Sequence, residues 1–405
     1  MSGTSKSSKD FLPYGRQWID ADDIEAVVGV LNSDFLTTGP KVVEFENSLK
    51  AALGVKHVIA CSSATAALHM TMVALGVGEG DVVIVPSMTF VASANAVRMC
   101  GGTVVFADVN PDNGLMEATH FEAAIKKAEA PVKAVIPVHL TGQCGDMKAI
   151  ASIAKSHNIK IVSDACHALG GTYKNDLGEG AVGNCAFEEM SCFSFHPVKT
   201  IAMGEGGAVA TNNDDYARIV RSIVSHGAWQ PGDEVVNKQL AFDAEGQINP
   251  WYHEFHRLGW NYRASDIHCA LGWSQMKKLP EFISKRRALA ERYKENLHDL
   301  VDFAKPIAEN PNCASAWHLF SILIDFDKIE MDRAALMHHL KDHNIGTQVH
   351  YIPVHLQPTF AQDAGDLKLI GAETYYSKTL SFPLFPHMQL ADVDYVVTNL
   401  KSLLE

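Results

Sequence analysis

The sequence predicts a three-layer α/β domain built on a mostly parallel sheet, followed by a smaller C-terminal α+β domain. Short apolar runs rich in valine and isoleucine alternate with helical patterns between about residues 44 and 215. These runs are apolar at successive positions, which is typical of strands that are covered on both faces of a parallel sheet. The helical patterns between them supply the crossover connections that parallel strands require.

The predicted strands of the large domain, in chain order, are His57–Cys61, Asp81–Pro86, Thr103–Val109, Lys133–His139, Lys160–Asp164, Met190–Ser194 and Gly207–Thr211. Helical patterns at Ala64–Leu75 and Met147–His157 predict two of the crossover helices. In such sheets, ligands bind at the carboxyl ends of the strands. Ser62, Asp164 and Ser194 all fall at such ends, so we expect them to share one pocket.

A polar stretch, residues 227–259, interrupts this pattern with glycines, prolines and tryptophans. An excursion of this length in a compact protein usually has a functional reason. A helical pattern then runs from Ser265 to about Arg292. The later predicted elements are strands at Leu319–Asp325 and Thr347–Tyr351 and helices at Asp332–His343 and Leu390–Leu404. We therefore expect a large domain at 11–270, including the 227–259 excursion, and a smaller domain at 271–405.

The composition limits the possible classes of function. The chain has 405 residues, of which 47% are hydrophobic and 20% charged, as in an ordinary globular protein. Its net charge of −13 argues against a nucleic-acid surface. No apolar stretch approaches the ~18 residues of a membrane span. Met1–Asp10 lacks an apolar core and is predicted to be a loose tail, not a signal peptide.

The cysteine pattern predicts a cytoplasmic protein without a metal site. Eight cysteines are scattered along the chain, and none forms a C-x-x-C pair. Cys61, Cys100 and Cys192 lie in apolar surroundings, which suits reduced and buried thiols. A zinc site would need clustered ligands, which this spacing does not offer.

Lys199 and Asp164 are the most informative pair of residues in the chain. Asp164 ends an apolar strand, and Lys199 follows 35 residues later in a tight loop between another strand and the run Gly204–Gly207. Pyridoxal phosphate needs a lysine amine to form an imine with its aldehyde, and a carboxylate to keep its pyridine nitrogen protonated. The order and placement of the two residues therefore predict a pyridoxal phosphate site, with the cofactor held as a covalent aldimine on Lys199.

Each residue alone also has a simpler interpretation. Lys199 by itself is compatible with a surface loop, and Asp164 with a metal ligand or a helix N-cap. The run Gly204–Gly207 lacks the pattern of a nucleotide loop. Close passage of the backbone beside Lys199 explains these glycines better.

Further polar and aromatic residues fall where a phosphorylated cofactor would meet them. Ser62–Ala66 follows a strand and opens a helix, whose free N–H groups and dipole favour a phosphate, although plain N-capping explains this segment better when it is taken alone. Ser194 is a second candidate phosphate contact. Phe90 follows a strand end and suits either ring stacking or core packing. His167 suits a bond to the cofactor's phenolic oxygen, a bond to Asp164, or a purely structural role.

The chain resembles the DegT/DnrJ/EryC1/StrS aminotransferases, pyridoxal phosphate enzymes that aminate nucleotide-linked keto sugars. The resemblance runs from Pro13 nearly to the C-terminus. The motifs that carry it are Leu36–Pro40, Ser62–Leu68, Pro86–Ala92, Ser163–Gly170, Ser194–Gly207, Gly259–Arg263, Val349–Pro353 with His355, and Leu380–Pro386. It implies the aspartate-aminotransferase fold (fold type I of pyridoxal phosphate enzymes) and a homodimer with active sites at the subunit interface.

The resemblance also implies a role for each residue of the site. Lys199 and Asp164 are the implied catalytic residues: Lys199 carries the cofactor, and Asp164 pairs with its pyridine nitrogen. The implied cofactor-binding residues are Ala64, Thr65, Phe90, Asp164, His167, Ser194, Lys199 and Asn261. In the family, His167 takes a position held by glutamine or histidine, and Asn261 reaches the phosphate from the neighbouring subunit.

A subgroup of the family is similar in Ser163–Gly170 and in Pro250–Arg263. Its members convert UDP-2-acetamido-2,6-dideoxy-β-L-arabino-hex-4-ulose to UDP-4-amino-4,6-dideoxy-N-acetyl-β-L-altrosamine for pseudaminic acid, with L-glutamate as donor and 2-oxoglutarate as product. Tyr14 and His355 sit where that subgroup places substrate contacts.

Two other functions stay open at this stage. One is amination of another nucleotide sugar, such as a C3-keto or a D-configured 4-keto sugar. The other is a noncatalytic regulatory protein that binds the cofactor or a nucleotide sugar. Members that perform dehydration replace the lysine with histidine, and Lys199 argues against that reaction.

Overall fold

A computed structural model describes residues 11–176, 178–230 and 232–404. The loose tail predicted at Met1–Asp10 lies outside the described residues. The strands are β1 His57–Cys61, β2 Val82–Pro86, β3 Thr103–Ala107, β4 Val132–Val135, β5 Lys160–Asp164, β6 Thr172–Asn175, β7 Gly178–Ala181, β8 Met190–Ser194, β9 Gly207–Thr211, β10 Ala304–Pro306, β11 Cys313–Ala314, β12 Phe320–Ile324 and β13 Thr379–Phe382.

The helices surround these strands along the whole chain. They are α1 Ala21–Leu31, α2 Pro40–Leu53, α3 Ala64–Ala74, α4 Ala92–Met99, α5 Ala118–Lys127, α6 Met147–Ser156, α7 Asp214–Ile223, α8 Lys238–Ala241, α9 Asp266–Lys277, α10 Leu279–Leu297, α11 Arg333–Asp342, α12 Pro358–Ala364, α13 Ile370–Lys378 and α14 Leu390–Leu404. Short 3-10 helices occur at Leu140–Gly142, His298–Leu300 and Val354–Leu356.

The large sheet has seven strands in the order β1-β9-β8-β5-β4-β2-β3. Strand β9 runs antiparallel to both of its neighbours, and the other pairings are parallel. Successive residues of one strand pack into different hydrophobic clusters, as Ile161 and Val162 of β5 do. Both faces of the sheet are therefore covered by helices, which explains why these strands are apolar at every position.

The sheet and its helices form the expected three layers. Helices α3, α4 and α7 bury apolar side chains such as Met70, Val97 and Val220 against one face. The other face packs against α5 and α6 at one end and against α2 and α9 at the other, for example through Ile150 and Phe45. This arrangement places the carboxyl ends of the parallel strands along one edge of the domain.

The C-terminal part contains a second, antiparallel sheet in the order β10-β12-β13. Its core includes Tyr293 of α10, Phe320 of β12 and Val396 of α14. The division of the chain at residues 270 and 271 stays a prediction. Within this region α9 ends at Lys277 and α10 begins at Leu279.

Several predicted elements differ in extent from the observed ones. The strands predicted at Thr103–Val109 and Lys133–His139 are shorter, and the helical pattern from Ser265 to Arg292 is two helices rather than one. The break falls just before Pro280, which lacks the N–H that a continuous helix would need. Sequence periodicity alone did not reveal the hairpin of β6 and β7 or strand β13.

The strand predicted at Thr347–Tyr351 is wrong. Only one isolated pairing, between Gln348 and Ser381, occurs there. The backbone N–H of Tyr351 instead contacts the Met88 sulfur at 3.3 Å.

The 227–259 excursion has little regular structure but is internally bonded. The Glu254 carboxylate accepts the backbone N–H groups of Val236 at 2.9 Å and Asn237 at 3.2 Å, and it lies 2.7 Å from the His256 ring. The hydroxyl of Tyr252 also donates to it, and these bonds lower the pKa of Glu254 to about 2. The charged Glu254 side chain therefore joins residues 236–237, in the middle of the excursion, to residues 252–256.

No helix in the described ranges is long and apolar enough to cross a membrane.

Arg286 of α10 is fully buried and joins distant segments of the chain. Its Nη1 donates to the carbonyls of Trp317 and His318 at 3.2 Å and to that of Leu384 at 2.9 Å. Burial lowers the pKa of Arg286 to about 10. Three carbonyl groups from two segments thus depend on one guanidinium.

We expect Arg286→Met to lower the free energy of unfolding by about 2–4 kcal/mol, because three buried carbonyls lose a donor. Urea-induced unfolding followed by circular dichroism measures this change. The control is Glu291→Gln on the exposed side of the same helix, which should stay within about 0.5 kcal/mol of the original protein. Unchanged stability of Arg286→Met would mean that the cost of burying the cation cancels its bonds.

Candidate active site

A cavity of about 850 Å³ opens at the carboxyl ends of the central strands. The predicted residues that line it are Tyr14, Ala64, Thr65, Phe90, Asp164, His167, Ser194 and Lys199. These residues come from separate parts of the chain, and the sheet brings them to one edge. Asn261 and His355, which were also predicted as site residues, do not line this cavity, and neither does Ser62.

Asp164 ends β5 and is 6% exposed. One carboxylate oxygen accepts the Ser93 hydroxyl at 2.7 Å, and the other accepts the backbone N–H of Cys166 at 3.2 Å. Ser93 belongs to α4 and in turn contacts the Thr89 hydroxyl at 2.8 Å. These bonds fix the orientation of the carboxylate toward the cavity, as an ion pair with a ring nitrogen would require.

Lys199 lies in the loop between β8 and β9. Its backbone N–H donates to the His196 carbonyl at 2.8 Å, and the Phe195 N–H donates to Gly206 at 2.9 Å, which closes the loop. Burial lowers the pKa of Lys199, against the opposing effects of Cys166 and Asp164. A larger share of neutral amine is therefore present near neutral pH than in an ordinary lysine, and neutral amine is the form that attacks a carbonyl.

The start of α3 faces the cavity with its first N–H groups. Ser63 caps this helix by accepting the Ala66 N–H at 3.1 Å, which leaves the N–H groups of Ala64 and Thr65 at the open end. Thr65 is exposed and adds a hydroxyl. The arrangement suits a phosphate, because the helix dipole favours negative charge at this end.

Gly207 allows the chain to pass directly behind this helix start. A Cβ atom at Gly207 would lie 2.4 Å from the carbonyl of Ser63 and 2.6 Å from the nitrogen of Ala64. The close passage predicted for the glycine-rich run therefore occurs, but beside the Ser63–Ala64 backbone rather than beside Lys199. Only glycine fits there without displacing the helix start.

Phe90 lines the cavity with a ring that is 56% exposed. Its centroid lies 6.0 Å from that of Tyr351, with an interplanar angle of 54°. The structure thus excludes the alternative that Phe90 is a core residue. An open aromatic face at the edge of a cavity suits stacking on a flat ligand.

His167 is 7% exposed, and both of its ring nitrogens have partners. Nδ1 lies 3.3 Å from the backbone N–H of Thr141, and Nε2 lies 3.2 Å from the Tyr351 hydroxyl. Burial, with the charge of Lys199, holds the pKa of His167 well below its usual value. The ring is therefore neutral, and it bonds to Thr141 and Tyr351 rather than to Asp164.

Sequence reasoning missed two other histidines that line the cavity, His318 and His350. Burial holds the pKa of His318 well below its usual value and lowers the pKa of His350 to about 3. His350 Nδ1 contacts the Ser381 hydroxyl at 2.8 Å. Both histidines come from the C-terminal part of the chain, and no spacing signal links them to Lys199.

The remaining predicted residues occupy different positions. Tyr14 lines the cavity, and its ring centroid lies 5.4 Å from that of His350. His355 is 2% exposed, with Nδ1 2.6 Å from the Ser87 hydroxyl, so its ring lies behind the cavity wall and does not reach a ligand directly. Asn261 is exposed and outside the cavity of its own chain.

The residues present fit pyridoxal phosphate. Lys199 offers a half-buried amine, Asp164 an oriented carboxylate, and α3 a set of N–H groups that Gly207 leaves accessible. Phe90 presents an open ring between them. Each feature matches one part of the cofactor: the aldehyde, the pyridine nitrogen, the phosphate and the ring face.

Comparison with known proteins gives the same result. The family model of the DegT/DnrJ/EryC1/StrS aminotransferases matches residues 17–401. The spore coat polysaccharide biosynthesis protein SpsC of Bacillus subtilis (strain 168) is 34% identical over 398 residues, which span 98% of this chain and 97% of SpsC.

Solved structures show the same fold. Helicobacter pylori PseC, an aminotransferase involved in the biosynthesis of pseudoaminic acid, superposes with a TM-score of 0.86 and 29% identity over 98% of this chain and 99% of PseC. The PLP-form of Streptococcus pneumoniae Spr1654 superposes with a TM-score of 0.84 and 26% identity over 97% of this chain and 98% of that chain. The large domain thus has fold type I of pyridoxal phosphate enzymes.

We expect Gly207→Ala to raise the dissociation constant of pyridoxal phosphate about tenfold or more, because the added Cβ must push the Ser63–Ala64 backbone aside. Titration of the cofactor-free protein with pyridoxal phosphate measures this dissociation constant. Gly29→Ala is the matched control, since nothing lies within 4 Å of its Cβ position. Equal cofactor affinity in both variants would argue against the phosphate site at α3.

The buried histidines predict a loss of stability in mild acid. Burial lowers the pKa of His139 to about 4 and the pKa of His350 to about 3. The stability that these neutral histidines contribute is therefore fully present above the ordinary histidine pKa of about 6.5. It falls as the pH drops toward their folded-state pKa values, since the unfolded chain takes up protons first. Each group contributes up to about 1.4 kcal/mol per pH unit.

Urea-unfolding midpoints at pH 7.5 to 5 test this expectation. His139→Phe should flatten the decline, whereas His298→Ala, at a residue whose side chain is 88% exposed, should leave it unchanged. A decline as steep in His139→Phe as in the original protein would assign the acid sensitivity to other groups.

Proposed function

We propose, on the premise that the chain belongs to the DegT/DnrJ/EryC1/StrS aminotransferase family, that it moves an amino group from L-glutamate to C4 of a UDP-linked 4-keto sugar. The enzyme is a pyridoxal phosphate-dependent sugar aminotransferase. Its proposed substrate is UDP-2-acetamido-2,6-dideoxy-β-L-arabino-hex-4-ulose, and its product UDP-4-amino-4,6-dideoxy-N-acetyl-β-L-altrosamine. The proposal places the enzyme in pseudaminic acid biosynthesis.

One observation carries the proposal: a single cavity joins the half-buried Lys199, the oriented Asp164 and the open start of α3. The cavity also extends past Phe90 to Gln357 and Thr359. Its volume lies in the range of small-molecule sites, and these polar groups suit a hydroxyl-rich substrate. The likeness to PseC supports the choice of sugar.

When bound, pyridoxal phosphate supplies an electron sink that stabilises negative charge on the carbon that loses a proton. Asp164 balances the positive charge on the pyridine nitrogen, and α3 holds the phosphate. Because burial lowers its pKa, the Lys199 amine is neutral more often than that of an ordinary lysine, and it would carry the proton between the substrate carbon and the bound cofactor. Phe90 holds the ring face, and the buried histidines keep bulk water away from Lys199.

The proposed assembly is a cytoplasmic homodimer with shared active sites. Asn261 is exposed and outside its own cavity, which suits a contact with the phosphate in the partner's site. Trp251 and Leu258 of the neighbouring excursion are 74% and 76% exposed, as residues at an interface would be in a single chain. All eight cysteines are free, which suits a reducing compartment.

A second substrate has support from a specific relative. SpsC is a spore coat polysaccharide biosynthesis protein, and its similarity to this chain spans nearly the whole of both proteins. The alternative is therefore another nucleotide keto sugar used for polysaccharide, with a different configuration or a C3-keto group. The Lys199 chemistry is the same for both substrates. Selection between them depends on which sugar fits in the part of the cavity away from Lys199.

We expect Lys199→Ala to lower kcat by about 10³-fold or more, since the variant lacks both the amine that carries the cofactor and the proton carrier. Formation of 2-oxoglutarate from L-glutamate with the keto sugar present measures turnover. Lys148→Ala is the control, because that lysine pairs with Asp176 at the surface. Substantial activity in Lys199→Ala would sink the proposed mechanism.

The sugar itself is tested by comparing kcat/KM among UDP-linked 4-keto sugars of L-arabino and D-xylo configuration and a C3-keto sugar. The proposal predicts at least about a tenfold preference for the L-arabino sugar, with the new amine at C4 by NMR. Preference for another sugar would select the alternative substrate. Cofactor binding without turnover of any sugar would indicate a noncatalytic protein.

A further inference from the structure

The loop 140–142 approaches His167 in a strained conformation. Thr141 has a φ of +61°, which is unusual for a β-branched residue, and its backbone N–H lies 3.3 Å from His167 Nδ1. Such conformations persist only where surrounding contacts enforce them, and they often occur at functional sites. The strain here directs one N–H group at one ring nitrogen.

Contacts from both parts of the chain hold this loop in place. The carbonyl of Thr141 accepts the Leu319 N–H at 3.3 Å. Gly142 follows with a φ of +108°, and a Cβ there would lie 2.8 Å from the nitrogen of Trp317 and 3.1 Å from the His167 carbonyl. The loop is therefore wedged between the His167 segment and the 317–319 segment, with no space for a side chain at position 142.

The His318 ring packs against the ring of His167. The two ring centroids are 4.2 Å apart, and His318 is 3% exposed. The carbonyls of Trp317 and His318 are both bound by the buried Arg286 guanidinium. Arg286 thus holds residues 317–318 in place, and the His318 ring packs against the His167 ring.

These contacts determine where the proton of His167 resides. A neutral imidazole carries one N–H, and a nitrogen that accepts a hydrogen bond cannot carry it. Because Thr141 donates to Nδ1, the proton must be on Nε2. Nε2 is therefore a donor, and its neighbour at 3.2 Å, the Tyr351 hydroxyl, accepts from it.

We propose that Thr141 and His318 are positioning residues which lock His167 as its Nε2–H tautomer, so that the hydrogen bonds run from Thr141 through His167 to Tyr351 and on into the cavity. Tyr351 lines the cavity, and its own proton is left free to donate to a ligand. Tyr351, held by the His167 donor, then presents its own proton to an anionic oxygen such as the cofactor's phenolic oxygen. The proposal concerns the cofactor site and does not depend on which sugar is aminated.

The tautomer of His167 decides in which direction the hydrogen bond between His167 and Tyr351 runs. A glutamine amide always has N–H donors, whereas a neutral imidazole presents a donor or an acceptor at Nε2 according to its tautomer. In an Nδ1–H tautomer, Nε2 would accept from the Tyr351 hydroxyl, and the Tyr351 proton would point at His167 and not into the cavity. Fixing the tautomer makes His167 a donor to Tyr351, as a glutamine amide N–H would be.

Neutron diffraction from deuterated crystals of the full chain with pyridoxal phosphate bound tests the tautomer directly. We expect deuterium on His167 Nε2 and none on Nδ1, with the Tyr351 hydroxyl deuterium directed into the cavity. Deuterium on Nδ1, whether alone or on both nitrogens, would overturn the proposal. This outcome is independent of activity and of the identity of the sugar.

Variants test the positioning role in solution through the dissociation constant of pyridoxal phosphate. His318→Ala should raise it about three- to tenfold in the original protein but leave it unchanged in a His167→Gln background, where no tautomer needs to be fixed. His318→Phe should restore affinity, since it keeps the ring contact. Thr141→Gly should bind as the original protein does, because it retains the N–H.

The role of Tyr351 is tested by Tyr351→Phe, which keeps the ring but removes the final donor. We expect an approximately three- to tenfold loss of cofactor affinity. An equal loss for His318→Ala in the original protein and in the His167→Gln background would show only a structural effect and would overturn the lock. Unchanged affinity in Tyr351→Phe would overturn the proposed end of the hydrogen-bond chain.

Discussion

Parallel pairing of β5 with β8 is the constraint on which the site depends. The register places Asp164 opposite Cys192, so β5 and β8 end at the same edge of the sheet. The carboxylate at the end of β5 and the loop that follows β8 therefore meet, and Lys199 enters the cavity that Asp164 lines. The antiparallel strand β9 returns the chain beside α3, where Gly207 permits the close approach that opens the phosphate site. A shift of one residue in this register would move Asp164 to the opposite face of the sheet.

The features that the sequence predicted well are those determined locally. Four strands, β1, β5, β8 and β9, have the predicted bounds, because continuous apolar runs and turn residues define them. Asp164 and Ser194 end strands, and Ala64 and Thr65 open α3, and these positions follow from α/β topology. Ser93, His318 and His350 escaped prediction because their roles depend on contacts between distant segments. Similarly, Thr347–Tyr351 has the composition of a strand but only an isolated pairing, which composition does not reveal.

The cavity is composite, since the C-terminal part of the chain supplies much of its wall. His318 precedes β12, while His350 and Tyr351 lie in the irregular segment before α12, and Arg286 holds the segment that carries His318. None of these residues belongs to the Lys199 loop or to the strands of the large sheet. The large domain thus provides Asp164 and Lys199, and the C-terminal part provides neutral rings that restrict water and orient His167. This division explains why a lysine with a lowered pKa lies among several neutral histidines, since added positive charge there would be unfavourable.

The most direct test of the account is the visible absorption spectrum of the purified protein with pyridoxal phosphate, recorded before and after L-glutamate is added without any sugar. The account predicts a band from cofactor bound through Lys199, which L-glutamate converts to the band of the pyridoxamine phosphate form. This change is to be absent in Lys199→Ala. The absence of any bound cofactor band in the original protein would contradict the roles assigned to Lys199 and Asp164.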